Sequence, residues 1–328
     1  MAMPLSFDLP LDDLKTYRGR SPRPAGFDSF WADGLEEMRS IDPQVELVPS
    51  GFDTAFAECS YLYFTGVGGA RIEAKLARPK AGKDGHPAVL QFHGYAGRIG
   101  DWSYGPMLAM CAEGYTYAGM NCRGQGGRSQ DLGGVTGTTL RGHIVRGLSE
   151  AIDGTPEKLL YRNIFLDTAQ FAGIVMAMQG VDPARVGAWG ESQGGGLTLA
   201  CAALEPRIAR IAPVFPFLTD YRRVWEMDQA KDAYMELQDW FRRHDPRHER
   251  ETEVFEALGH IDVQHLADRI RAKVFWRIGL MDTICPPSTQ FAAYNRLVSE
   301  KSLDIYPDYG HELLPDSLDR LFEFMRKL

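Results

Sequence analysis

The sequence predicts an α/β fold: a mostly parallel central sheet with helices on both faces. Three observations carry that prediction. The runs at 88–92, 115–120, 186–189, 208–215 and 274–278 are almost continuously apolar, as parallel strands covered on both faces must be. Helical patterns lie between them, such as Ile164, Thr168, Phe171, Val175 and Met178, which recur every three or four residues and share one face. Strand and helix therefore alternate, implying right-handed βαβ crossovers. Finally, the strand at 186–189 runs through a glycine-flanked serine directly into an Ala/Leu-rich helix.

Taken in order, residues 1–20 carry Asp8, Asp12 and Asp13 and lack the basic, then apolar, pattern of a secretory leader. Pro22 and Pro24 precede a helix over 26–38, with Phe27, Phe30, Trp31, Leu35 and Met38 on one side, so 1–40 reads as an N-terminal extension. Ile72, Ala74 and Leu76 alternate with Glu73 and Lys75, the period of a strand with one solvated face, suited to an antiparallel edge. Residues 219–270 are charged and helix-prone with no strand signal, which predicts a helical lid inserted in a single domain spanning 1–328. A further strand is expected at 303–306.

With 44% hydrophobic and 24% charged residues the chain has the make-up of a folded soluble protein. Its 36 Lys+Arg against 44 Asp+Glu leave a net charge of −8, the wrong sign for neutralising nucleic-acid phosphates. No stretch approaches the roughly 20 apolar residues of a membrane span. The five cysteines (Cys59, Cys111, Cys122, Cys201, Cys285) are scattered and never form a CxxC pair, so free thiols in a reducing cytoplasm are expected and neither a metal nor another cofactor is called for.

The chemistry centres on Gly190-Glu191-Ser192-Gln193-Gly194 between strand and helix. A serine on so tight a turn exposes its hydroxyl, and glycines two residues to either side relieve collisions with neighbouring backbone. A nucleophilic serine needs a base and an acid to orient that base, following in the order Ser, Asp, His. Asp282 follows the strand at 274–278, and His311 follows the strand at 303–306. Asp308 and Glu312 are nearer to His311 in sequence, but the acid must approach Nδ1 from the side opposite the serine, which a neighbouring strand's loop allows and the histidine's own turn does not. The oxyanion hole needs one backbone N–H from the residue after the nucleophile, Gln193, and one from an earlier loop, where His93-Gly94-Tyr95-Ala96-Gly97 offers Tyr95. His93 reads as structural, Cys285 as a packing thiol, Arg123-Gly124-Gln125 as scaffold, and His244 with His248 as solvated residues rather than zinc ligands, since Pro246 interrupts their helix.

The combination of Arg123-Gly124-Gln125-Gly126, Gly190-Glu191-Ser192-Gln193-Gly194, Asp282-Thr283-Ile284-Cys285-Pro286-Pro287 and His311-Glu312 resembles the acetyl xylan esterase and cephalosporin C deacetylase family of α/β-hydrolases. Phe27-Asp28-Ser29-Phe30-Trp31, 141–147 and 161–167 are similar too, so the resemblance spans nearly the whole chain. It implies the α/β-hydrolase fold and a serine deacetylase acting on acetylated xylo-oligosaccharides, other small acetylated alcohols and cephalosporin C, in an intracellular ring-shaped hexamer. The sequence departs from the family around 129–137 and in the lid. A broad short-chain carboxylesterase and a catalytically inactive hydrolase fold serving as a binding protein stand as alternatives.

Overall fold

The computed structural model describes residues 7–81, 84–97, 103–131, 134, 136–138 and 142–328, with 136–138 as backbone. The chain opens with α1 (Leu11–Leu14) and α2 (Phe27–Ser40), then three strands, β1 (Glu46–Asp53), β2 (Ala57–Thr65) and β3 (Arg71–Pro79). The central layers follow: β4 (His86–Phe92), α3 (Gly105–Ala112), β5 (Thr116–Met120), a small ribbon of β6 (Gln125–Gln130) and β7 (Thr136–Thr138), α4 (Leu148–Ile152), α5 (Leu160–Met176), β8 (Val181–Glu191), α6 (Gln193–Leu204) and β9 (Arg210–Val214). Residues 219–270 hold α7 (Tyr221–Glu226), α8 (Met235–His244), α9 (Glu251–Gly259) and short 3-10 turns, without a strand. The chain closes with β10 (Lys273–Gly279), α10 (Pro287–Tyr294), β11 (Lys301–Tyr306) and α11 (Ser317–Met325).

Nine strands form one sheet in the order β1-β2-β3-β5-β4-β8-β9-β10-β11. Pairing is antiparallel from β1 to β5 and parallel from β5 to β11. The chain leaves β4 to one side for β5 and returns to its other side for β8, so the sheet has its topological switch point between β4 and β8, where open α/β sheets form crevices at the strands' carboxyl ends. One face packs on α2, α5 and α6, with Trp31 stacked on Phe165 at 5.8 Å. The other packs on α3 and α11 through Met107, Met110, Trp189, Phe275 and Met325. Among the described residues no helix is long and apolar enough to cross a membrane.

Two expectations need correction. β3 is antiparallel but is neither an edge nor half solvated: it lies between β2 and β5, and Glu73 and Lys75 are buried. Their polar ends are met inside, the Glu73 carboxylate accepting from Tyr63 Oη (3.1 Å), Asn121 Nδ2 (2.7 Å) and Arg128 N (2.9 Å), and the Lys75 ammonium lying 4.3 Å from the Tyr104 ring centroid. Likewise α5 does not bury one face only. From Leu160 to Ala172 every residue is buried, because α2 covers the side turned away from the sheet. Its polar side chains are buried with the rest, Asp167 paired with Arg123 and Thr168 Oγ1 donating to Phe165 O (2.7 Å).

Candidate active site

β8 ends at Glu191 and α6 begins at Gln193, so Ser192 alone makes the turn, at φ 55° and ψ −119°. A residue with a side chain holds such a backbone only where its surroundings over-determine it. Here Ser192 N donates to Val214 O (3.0 Å) and Phe217 N donates to Ser192 O (2.9 Å). A Cβ on Gly190 would lie 2.6 Å from Phe92 O, and one on Gly194 would lie 2.8 Å from the Phe92 carbonyl carbon. Both glycines are therefore required by the approach of β4, which brings the two candidate oxyanion loops side by side.

Asp282 and His311 leave the carboxyl ends of β10 and β11, and Met281 N donates to Tyr309 O (2.9 Å) to hold the two loops together. His311 Nδ1 donates to Asp282 Oδ2 at 2.9 Å. The Asp282 carboxylate is fully buried, and its Oδ1 accepts from the backbone N–H groups of Ile284 (2.9 Å) and Cys285 (2.8 Å), while Pro286 and Pro287 start α10 behind it. Asp308 is exposed and Glu312 accepts from its own turn at Gly310 N (3.0 Å), so neither competes for the imidazole. His311 is 18% exposed, packed at 4.6 Å against Phe215. Among the described residues Ser192 Oγ has no hydrogen bond to His311; it lies in reach of the Cys285 thiol instead. Such contacts are commonly loose before substrate binds. Burial and the Asp282 charge push the Cys285 thiol well up, which keeps it protonated and inert. Asp282, Cys285 and His311 have donor atoms within 4.8 Å of one another, but those of Asp282 and His311 are engaged with each other.

On the other side, β4 ends at Phe92 and the loop 93–97 turns with Ala96 at φ 62° and Gly97 N donating to Gly94 O (2.9 Å). His93 is wholly buried; Nδ1 donates to Gly94 O (2.8 Å) and Nε2 accepts from Cys122 N (3.0 Å), which fixes a neutral tautomer, and burial lowers its pKa to about 4. It is a structural residue. Gln193 opens α6, where the helix dipole favours developing negative charge. Its side chain meets Gln125 in a reciprocal amide pair: Gln125 Nε2 donates to Gln193 Oε1 (2.6 Å) and Gln193 Nε2 to Gln125 Oε1 (2.9 Å). Tyr161 Oη also donates to Gln193 Oε1 (2.6 Å), and Ala96 N to Gln125 Oε1 (3.2 Å). Gln125 thus reaches both candidate oxyanion loops, a role that the Arg-Gly-Gln-Gly motif signalled only as scaffold. Arg123 in the same motif is buried against Asp167 (2.5 and 2.7 Å) and Val67 O (2.6 Å).

The Tyr95 ring packs on Phe217 (5.9 Å), and its hydroxyl donates to the Glu236 carboxylate of α8. Glu236 gave no signal in the sequence. Beside this pair is a cavity of about 230 Å³ whose walls include Tyr95, Val145, Glu236, Asp239, Trp240 and His244. His244 packs on Trp240 (5.3 Å) and His248 on Phe241 (4.6 Å), ring contacts that do not bring the two histidines to a shared metal. The departures expected around 129–137 fall partly outside the described residues; Ser129 itself is buried, its hydroxyl donating to Asn121 O (2.8 Å) and accepting from Glu73 N (2.9 Å).

Known proteins resemble this chain along nearly its whole length. Residues 3–328 match the family described as Acetyl xylan esterase (AXE1). Acetyl xylan esterase 1 from Thermoanaerobacterium sp. JW/SL YS485 is 55% identical, with a TM-score of 0.92 over 98% of this chain and 99% of that one. An acetyl xylan esterase from Paenibacillus sp. R4 is 32% identical, with a TM-score of 0.85 over 97% and 99%. The acetyl esterase Axe7A of Xylanibacter ruminicola is 24% identical over 306 residues, 91% of this chain but 65% of that relative's length. On these grounds the chain belongs to the acetyl xylan esterase family of α/β-hydrolases.

Proposed function

We propose that this protein is a serine esterase that removes acetyl groups from small acetylated substrates, among them acetylated xylo-oligosaccharides and cephalosporin C-like esters. The observation that carries the reading is the His311–Asp282 hydrogen bond, set on the loops beside the Ser192 turn. With Nδ1 donating to Asp282, the lone pair of Nε2 is free to take the Ser192 proton. Ser192 Oγ attacks the acetyl carbonyl, and the backbone N–H groups of Tyr95 and Gln193 receive the oxyanion. His311 then protonates the departing alcohol. Water, deprotonated by the same imidazole, releases acetate from the acetyl-enzyme and restores Ser192.

The retention of serine, histidine, aspartate and both turn glycines supports turnover over the inactive binding protein. The 55% identity to an acetyl xylan esterase supports acetyl over longer chains. A cytoplasmic homohexamer completes the reading, supported by the family resemblance and by five buried free thiols. The test is hydrolysis of acetyl, butyryl and octanoyl 4-nitrophenyl esters and release of acetate from acetylated xylo-oligosaccharides, with Ser192→Ala as control. Rates should fall steeply beyond acetyl and vanish in Ser192→Ala. Equal octanoyl rates would favour the broad carboxylesterase, and activity surviving in Ser192→Ala would reject the nucleophile. Light scattering should give six times the chain mass, and a monomer would reject the assembly.

A further inference from the structure

We infer that Glu236 is a positioning residue for the oxyanion hole, the point at which helix α8 holds the loop that carries the Tyr95 N–H. The inference rests on the reading above, in which that N–H is an oxyanion donor. Glu236 lies in the first turn of α8 and is buried. One of its carboxylate oxygens accepts from Tyr95 Oη; the other accepts from the backbone N–H groups of Ile144 (2.6 Å) and Val145 (3.3 Å). A single side chain therefore ties three separate segments: the loop after β4, the loop at 142–145 and the helical excursion. His143 Nδ1, from the middle segment, approaches the same Tyr95 hydroxyl at 3.4 Å.

The need for such a tie follows from the loop itself. Residues 93–97 leave β4 without further strand pairing, and Ala96 sits at positive φ, so the direction of the Tyr95 N–H is set by what holds its two ends and its side chain. His93 and Gln125 fix the backbone at either side. The Tyr95 side chain is fixed by Glu236 and by packing on Phe217. Oxyanion stabilisation depends on a donor being in place before charge develops, so a loosened tie should weaken the transition state far more than the bound substrate.

The experiment compares Glu236→Ala, Glu236→Gln and Tyr95→Phe with wild type on an acetyl ester, with fold checked by circular dichroism and thermal melting. Glu236→Ala should lower kcat by about 30-fold with KM within about threefold, short of the roughly 10²- to 10³-fold cost of deleting an oxyanion donor outright. Affinity for trifluoroacetone, which forms a tetrahedral adduct with the serine, should fall by the same factor as kcat. Glu236→Gln should recover most of the loss, because its carbonyl can accept from Ile144 and Val145 while its NH₂ donates to a Tyr95 hydroxyl turned toward His143. Tyr95→Phe probes the tie from the other end without removing the buried carboxylate, and the double variant should be no worse than either single. Unchanged kcat in folded Glu236→Ala or in Tyr95→Phe, or losses that multiply in the double variant, overturns the inference while an active wild type and a dead Ser192→Ala leave the esterase reading intact. A wild type inert on every ester overturns that reading and this inference with it.

Discussion

Replacing Asp167 by Asn tests whether the Arg123 motif is scaffold. Arg123 and Asp167 side chains are 0% and 1% exposed, joined by two charge-assisted hydrogen bonds at 2.5 and 2.7 Å, with Val67 O as a further acceptor for Nη2. Burial pushes the Asp167 carboxyl up and Arg123 opposes that shift, so the ion pair exists because each charge answers the other. Asp167→Asn keeps the shape but strands a guanidinium that cannot give up its proton, and breaking a buried pair on one side costs about 3–5 kcal/mol. At about 2.1 cal/mol/K per residue, 328 residues give an unfolding entropy near 0.7 kcal/mol/K, so about 4 kcal/mol corresponds to a fall in Tm of about 6 °C. Arg123→Met combined with Asp167→Leu removes both charges and should return to within about 2 °C of wild type. Differential scanning calorimetry supplies Tm, and kcat on an acetyl ester in the double variant should stay within about tenfold of wild type, since neither side chain touches the reacting atoms. A single variant that melts with wild type, or a double variant as unstable as the single, refutes the electrostatic argument. A stable double variant without activity refutes the scaffold role.

Asp282→Asn should lower kcat on an acetyl ester by on the order of 10⁴ through loss of the correct imidazole tautomer, with Asp308→Asn nearly silent; a larger loss in Asp308→Asn would reassign the acid. His93 and His265 are each held by burial at a pKa of about 4, against about 6.5 in the unfolded chain. Between those pH values the unfolded state binds protons that the native state refuses, so their contribution is complete above about pH 6.5 and is lost as pH falls toward 4, at most about 3 kcal/mol each. Urea midpoints from pH 7 to 4.5 should fall accordingly, and His265→Gln should flatten that slope; an unchanged slope rejects the account. Gly194→Ala places a methyl group against the Phe92 carbonyl and should cost about 1–3 kcal/mol by urea melts while lowering kcat, because it pries β4 from α6. Full activity in that variant would show that the contact yields.

The central strands were legible because burial on both faces leaves an unbroken apolar run, and the Ser192 turn because its glycines are dictated by close backbone approach. That Asp282 meets His311 was legible from the order of strands rather than from nearness in sequence. What stayed hidden shares one property, dependence on partners remote in sequence. Glu73 and Lys75 follow the pattern of a wet face, and only the strands laid to either side make it dry. The carboxylate of Glu236 meets a tyrosine 141 positions away, and Gln125 meets Gln193 across 68. Periodicity and local spacing report which way a side chain points, but not which polar group waits for it there.

The Gln125–Gln193 pair has the symmetry of an amide dimer, so turning both side chains over would exchange each donor for an acceptor and leave the pair itself intact. The outer contacts break that degeneracy: the Ala96 N–H can only donate and takes Gln125 Oε1, the His93 carbonyl can only accept and takes Gln193 Nε2 (3.4 Å), and the Tyr161 hydroxyl, free to turn, then donates to Gln193 Oε1. One orientation satisfies all of these groups, which makes the two amides a keyed joint between the strand-to-helix turn and the loop after β4. A glutamate at either position would set oxygen against oxygen, and an alanine at 193 would take away the acceptor that the buried Gln125 NH₂ meets. The two side chains therefore depend on one another, and changing one amide alone opens the joint between the strand-to-helix turn and the loop after β4.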